Sequence, residues 1–125
     1  MNARTLVTLS SAIEAATGIA LIAVPDVVAR ILLGAELSIS GVVVARVAGF
    51  GLLSLAIACW PHGDDVSISS IRGLFVYNLL AAIYFAYVGV SGIFFTYLLW
   101  AVCALHGLLA ILMVRPVYKT FGTAR

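Results

Sequence analysis

Four long stretches of the chain are almost wholly Leu, Ile, Val, Ala, Gly and Phe, and each is interrupted by one strongly polar residue: Glu14, Arg46, Asn78 and His106. The stretches lack the short alternation of membrane strands, and about 20 apolar residues coiled as α-helix match the hydrocarbon thickness of a bilayer. The pattern therefore predicts membrane-spanning helices over about 5–24, 40–60, 71–89 and 92–114. Between the first two, Val27, Val28, Ile31, Leu32 and Leu33 recur at near-helical spacing beside Asp26, Arg30 and Glu36. Pro25 stands at the start of that segment and Gly34 at its end, which predicts a short helix over about 26–34 lying in the membrane interface. Pro61-His62-Gly63-Asp64-Asp65 reads as a turn. Gly89-Val90-Ser91-Gly92 reads as a tight turn that makes the last two spans a hairpin. The expected fold class is all-α: an integral membrane four-helix bundle with a short interfacial helix after the first span, filling 1–125 as a single transmembrane domain.

Composition supports the same class. The chain is 64% hydrophobic and 10% charged, with a mean hydropathy of +1.20, too little polar surface for a water-soluble domain. The apolar run after Arg4 is read as a first span and not as a cleavable leader, because Glu14 sits inside it and no small-x-small site precedes Pro25. The net charge of +2 is scattered over span ends, so no nucleic-acid partner is expected. Arg4, Arg72, Arg115, Lys119 and Arg125 would fall on one side of the membrane and Arg30 on the other. Cytoplasmic loops carry the excess of Arg and Lys, so both termini are expected to be cytoplasmic. Trp60 and Tyr118 fall near that boundary, and Tyr84 and Tyr87 near the opposite one.

The four polar residues are the candidate chemistry. Ionisable groups inside a membrane are costly and usually face the bundle interior or a cavity. Counting from the cytoplasmic end at about 1.5 Å per residue places Glu14 roughly 13 Å deep, Asn78 roughly 10 Å, His106 roughly 12 Å and the Arg46 backbone about 20 Å. Three then share a layer, and an arginine side chain is long enough to bend toward it, so Glu14 and Arg46 are expected partners. In a functional reading Glu14 is a proton or cation site, Arg46 its charge partner and an anion clamp, His106 a proton relay and Asn78 an orienting hydrogen bond. Tyr77 and Tyr97 add hydroxyls, and Phe75 and Trp100 add aromatic walls. The structural alternatives are a register-fixing ion pair for Glu14 and Arg46, an interhelical hydrogen bond for Asn78 and a satisfied core histidine for His106. Gly41, Ala45 and Gly49 in the second span, and Ala12, Ala16 and Ala20 in the first, form small-residue stripes that allow close helix packing.

Other chemistries find little support. Cys59 and Cys103 stand singly in apolar surroundings, without the Cys-x-x-Cys spacing of a redox pair. His62 with Asp64 and Asp65 is too sparse a set for a closed metal site, and haem would need a second axial ligand. No hydrolase triad and no glycine-rich phosphate loop is present. No cofactor and no metal are expected, and no catalytic residue is assigned.

The four short spans, the interfacial segment beginning at Pro25 and the run Arg46-Val47-Ala48-Gly49 resemble the small bacterial DoxX-like membrane proteins. The resemblance covers most of the chain in architecture. It implies the bacterial inner membrane and either a membrane partner, such as a quinone-linked oxidoreductase complex, or a small lipid-soluble ligand. A glutamate in the first of four spans is also similar to the small multidrug exporters, but Arg46 and the missing aromatic pattern around Glu14 depart from them. The function expected is binding or transport of a small polar or ionisable ligand through the Glu14, Arg46, Asn78 and His106 cluster, in a homo-oligomer or a membrane complex, with proton coupling open. An accessory structural subunit is one alternative. A membrane enzyme using Glu14 and His106 as acid and base on a lipid-like substrate is the other.

Overall fold

The computed structural model describes residues 1–62 and 66–122. Its elements are α1 (Ala3–Ala23), α2 (Pro25–Leu33), α3 (Ile39–Cys59), α4 (Ile68–Val90) and α5 (Tyr97–Gly122). Asp64 and Asp65, the acidic pair of the second turn, lie outside the described residues.

Local signals set the helix ends. Asn2 caps α1 by accepting from the Thr5 N–H at 2.8 Å, and Ser38 caps α3 by accepting from the Gly41 N–H at 3.1 Å. Such caps satisfy N–H groups that the first helical turn leaves without partners. Pro25 opens α2, where its missing N–H costs nothing. Gly34 closes α2 in the left-handed conformation, φ 70°, its N–H returning to the Arg30 carbonyl at 3.0 Å. At the start of α5 the Thr96 hydroxyl oxygen accepts from the Leu99 N–H at 3.2 Å and donates to the Leu32 carbonyl at the end of α2. That tie holds the short helix across one end of the bundle.

The last span begins later than the hydropathy pattern predicts, at Tyr97 and not near residue 92. Gly92 leaves α4 with φ 71°, and the Thr96 cap delays the next helix, so 91–96 forms the connection. Pro116 lies inside α5, which continues to Gly122.

Four of the helices, α1, α3, α4 and the α5 segment Tyr97–Tyr118, are long and apolar enough to cross a membrane. Their outer faces expose Val43, Val44, Val47 and Phe50 on α3, Leu80 and Ile83 on α4, and Leu108 and Ile111 on α5. A surface of that kind is stable in hydrocarbon and not in water, and the chain is a multi-pass membrane protein. Tyr84 and Tyr87, both exposed, lie near the α2 end of α4, where interfacial aromatics are common.

Two intimate helix pairs build the bundle, α1 against α3 and α4 against α5. The first pair meets where Gly18 faces Gly49. A methyl group added to Gly18 would sit 2.8 Å from the Gly49 carbonyl oxygen, and one added to Gly49 would sit 2.8 Å from the Gly18 carbonyl oxygen. Close backbone approach at small residues is how helices associate where lipid removes the hydrophobic drive. Gly49 belongs to the expected stripe on α3; its partner on α1 is Gly18 and not the alanine series, of which Ala12 and Ala16 are exposed. In the second pair Gly89 receives the Trp100 indole, which an added methyl would meet at 2.7 Å.

The densest core lies toward the end that carries the termini, where Leu6, Val7, Cys59, Ile71, Leu74, Met113 and Val117 pack together. Toward α2 the interior holds a cavity lined by residues of all five helices.

Candidate functional site

Asn78 lies at the centre of the bundle's polar layer and is fully buried. Its Nδ2 donates to the Leu74 carbonyl one turn back on α4 and to the Ser10 hydroxyl on α1, both at 2.8 Å. Its Oδ1 faces His106 Nδ1 on α5 at 2.9 Å. A single amide thus joins three helices, α1, α4 and α5, through side chains that hydrocarbon would otherwise reject.

The same contacts determine the histidine's hydrogen. A backbone carbonyl only accepts, so the Asn78 atom facing Leu74 is the amino group and the atom facing His106 is the carbonyl oxygen. Nδ1 of His106 therefore carries the hydrogen and donates it. In the neutral imidazole Nε2 is left as an acceptor. The ring is held edge-on by Tyr77, with centroids 5.8 Å apart, and is stacked by Phe85 at 5.9 Å.

Glu14 sits one helical turn beyond Ser10 on α1 and is 1% exposed. The Tyr77 hydroxyl stands beside its carboxyl group. The two do not reach hydrogen-bonding geometry, and both carboxyl oxygens, like the Ser11 hydroxyl one turn away, have no partner among the described residues. Tyr77 accordingly stands between the carboxyl group on α1 and the imidazole on α5.

Arg46 does not join this group. Its side chain is exposed, and its Nε donates to the Ile22 carbonyl near the α2 end of α1 at 3.3 Å. The expected Glu14–Arg46 ion pair is not formed, and the helix register explains why. With Gly18 opposite Gly49 in antiparallel helices, Arg46 is level with Ile22, eight residues or about 12 Å along the axis from Glu14. Of the residues singled out from sequence, the structure brings together Glu14, Tyr77, Asn78 and His106 and leaves Arg46 apart. Ser10, Ser11 and Thr17 escaped notice because small hydroxyls are unremarkable in a span, where they can bond back to their own helix. The i, i+4 spacing of Ser10 and Glu14 was the available signal.

A cavity of about 520 Å³ lies against this cluster. Tyr77, His106 and Thr17 supply the polar groups of its wall, and α2 contributes Val28, Ile31 and Leu32 toward the interface. The remainder is aliphatic or aromatic, including Ile13, Leu52, Phe85 and Val102. Among the described residues, no Asp, Glu, Lys or Arg lines it. Lining residues Ala16 on α1 and Leu98 and Leu105 on α5, the leucines 40% and 37% exposed, reach the surface. Ile31 on α2, another lining residue, is exposed too, so the cavity is open at the protein surface where α1, α2 and α5 meet.

The sulfur atoms stand apart from the site. Cys103 Sγ lies 3.4 Å from the Ala82 carbonyl between α4 and α5, and Cys59 belongs to the opposite core. Neither is in a disulfide, and no cluster of metal-binding side chains occurs among the described residues. Compared with known proteins, the chain matches no family model, no curated protein and no solved structure.

Proposed function

We propose that this membrane protein takes a small lipid-soluble molecule from the bilayer through the opening where α1, α2 and α5 meet and holds its polar end at the Tyr77, Asn78 and His106 cluster. The observation that carries the reading is the cavity itself. At about 520 Å³ it lies within the usual range for small-molecule sites, roughly 300–1,000 Å³, and it combines an apolar wall with a few converging polar groups. Its exposed mouth residues would face acyl chains, so a ligand dissolved in the bilayer need not pass through water. The resemblance to DoxX-like proteins, which implies a lipid-soluble ligand or a membrane partner, agrees with this.

Within the reading Asn78 orients His106, and Tyr77 links the imidazole to Glu14. Arg46 plays no part at the ligand. The enzymatic alternative asks Glu14 and His106 to act on one substrate from a shared space, whereas only His106 lines the cavity. We place both termini in the cytoplasm on the strength of the arginine and lysine distribution, and the DoxX-like resemblance implies a bacterial inner membrane. Reporter fusions to each terminus and to the 34–38 loop test that topology.

Photolabelling tests the function. The protein in phosphatidylcholine vesicles is exposed to a diazirine-bearing medium-chain alcohol, irradiated and mapped by peptide sequencing. Thr17 and Val102 should be labelled above the lipid-facing reference residues Val43 and Val47, and Ala16→Trp, at the exposed mouth, should abolish the difference. Labelling confined to the lipid-facing residues would remove the cavity from the function.

A further inference from the structure

We infer that the ligand is an uncharged, membrane-borne alcohol or phenol, recognised by donation of its hydroxyl hydrogen to Nε2 of His106. The inference rests on the cavity reading above and adds the ligand's chemical class. Three observations converge on it.

The first is the sense of the hydrogen bond. Leu74 presents a carbonyl to Asn78, Asn78 in turn presents a carbonyl to His106, and the imidazole is left presenting a lone pair. The direction of the whole chain is set by a backbone group that can only accept. A ligand meeting Nε2 must donate. An alcohol or phenol does so, while a ketone, ester or ether oxygen would set two lone pairs against each other and leave both unsatisfied.

The second is charge. Among the described residues no ionisable acid or base other than His106 and Tyr77 lines the cavity, and the Glu14 oxygens are not part of its wall. A ligand carrying a full charge would be desolvated there without a counter-ion, at a cost that the few polar groups cannot offset. That excludes ammonium, carboxylate and phosphate headgroups.

The third is shape. Apart from Thr17, the remaining wall is aliphatic and aromatic and runs out to exposed Leu98 and Leu105, so the rest of the ligand is hydrocarbon. Phe85 stacked on the imidazole holds the ring in place. His106 lines the cavity while its Nδ1 is turned to Asn78, so Nε2 is the acceptor the ring has left for a ligand, an arrangement that reads a hydroxyl.

The test uses three diazirine probes of one chain length: a primary alcohol, its methyl ether and the parent alkane, each presented to the full-length protein in phosphatidylcholine vesicles. The alcohol should label cavity residues about tenfold more than the ether, the ratio corresponding to one net hydrogen bond at an otherwise apolar site. His106→Asn keeps an amide donor where Nδ1 meets Asn78 but has no atom reaching the Nε2 position. It should bring alcohol labelling down to the level of the ether. A measurement on the unaltered protein guards against misfolding of the variant: in spectra of ¹⁵N-histidine-labelled protein, the Nε2 resonance should move on adding the alcohol and not on adding the ether. Equal cavity labelling by all three probes, or an unmoved Nε2 resonance, overturns the donor inference while leaving the cavity reading standing. Absence of cavity labelling by every probe overturns the cavity reading itself.

Discussion

Asn78 Oδ1 lies 2.9 Å from His106 Nδ1, and this one contact fixes both where the imidazole sits and which of its nitrogens faces a partner. The amide can do so because its own orientation is fixed by the Leu74 carbonyl and the Ser10 hydroxyl. An apolar residue at 78 would remove all of these bonds at once. Asn78→Leu should lower stability by about 1–3 kcal/mol, since it strands the His106 N–H in a buried site. Unfolding in mixed detergent micelles measures the loss. In histidine ¹⁵N spectra the unaltered protein should show the Nδ1–H form, and the variant should lose that preference.

Gly18 and Gly49 make the closest backbone approach between α1 and α3, and neither tolerates a side chain without moving a helix. Gly49→Val should destabilise the fold by about 1–3 kcal/mol, the usual penalty for overpacking. Gly51, two residues away, has nothing within 4 Å of an added methyl group. Gly51→Ala should therefore be neutral or stabilising by up to about 1 kcal/mol, through helix propensity alone. The two glycines differ only in what they face, and detergent melting curves of both variants separate packing from propensity.

Glu14 and Arg46 stand about two helical turns apart along the bundle and should be energetically independent. In a double-mutant cycle of Glu14→Gln and Arg46→Gln, the coupling energy should fall below about 0.5 kcal/mol. A buried ion pair would behave differently, since removing one member strands the other at a cost of about 3–5 kcal/mol. Arg46→Gln alone should change stability by no more than about 0.5 kcal/mol, as expected for an exposed side chain. A coupling of several kcal/mol would mean that the two groups meet after all.

Thr96 caps α5 and ties it to the Leu32 carbonyl near the end of α2. Thr96→Val keeps the shape and deletes both bonds, at a cost of about 1 kcal/mol for the cap alone. Because α2 contributes the interfacial wall of the cavity, hydrogen exchange over residues 25–33 should accelerate in the variant, while exchange in the α1–α3 pair stays as it was. Thr96→Ser should restore the slow exchange. Unchanged exchange in Thr96→Val would show that α2 is held by its apolar face and not by this hydroxyl.

The sequence by itself determined that four helices cross a membrane, that a short helix follows the first between Pro25 and Gly34, and that Glu14, Asn78 and His106 lie at similar depth. Those features are local: run length, turn residues and a constant rise per residue suffice for them. Which way each side chain points was decided only by tertiary structure. A soluble helix reveals its inner face as an apolar stripe, but a span is apolar on every side, so Arg46 and Glu14 looked equally able to turn inward. The close approach of Gly18 to Gly49 set the register that parted them, and the Leu74 carbonyl, by orienting the Asn78 amide, set the polarity of His106. The cavity likewise arises only where residues of all five helices come together around it, because a void belongs to the space between helices and to no single segment of chain.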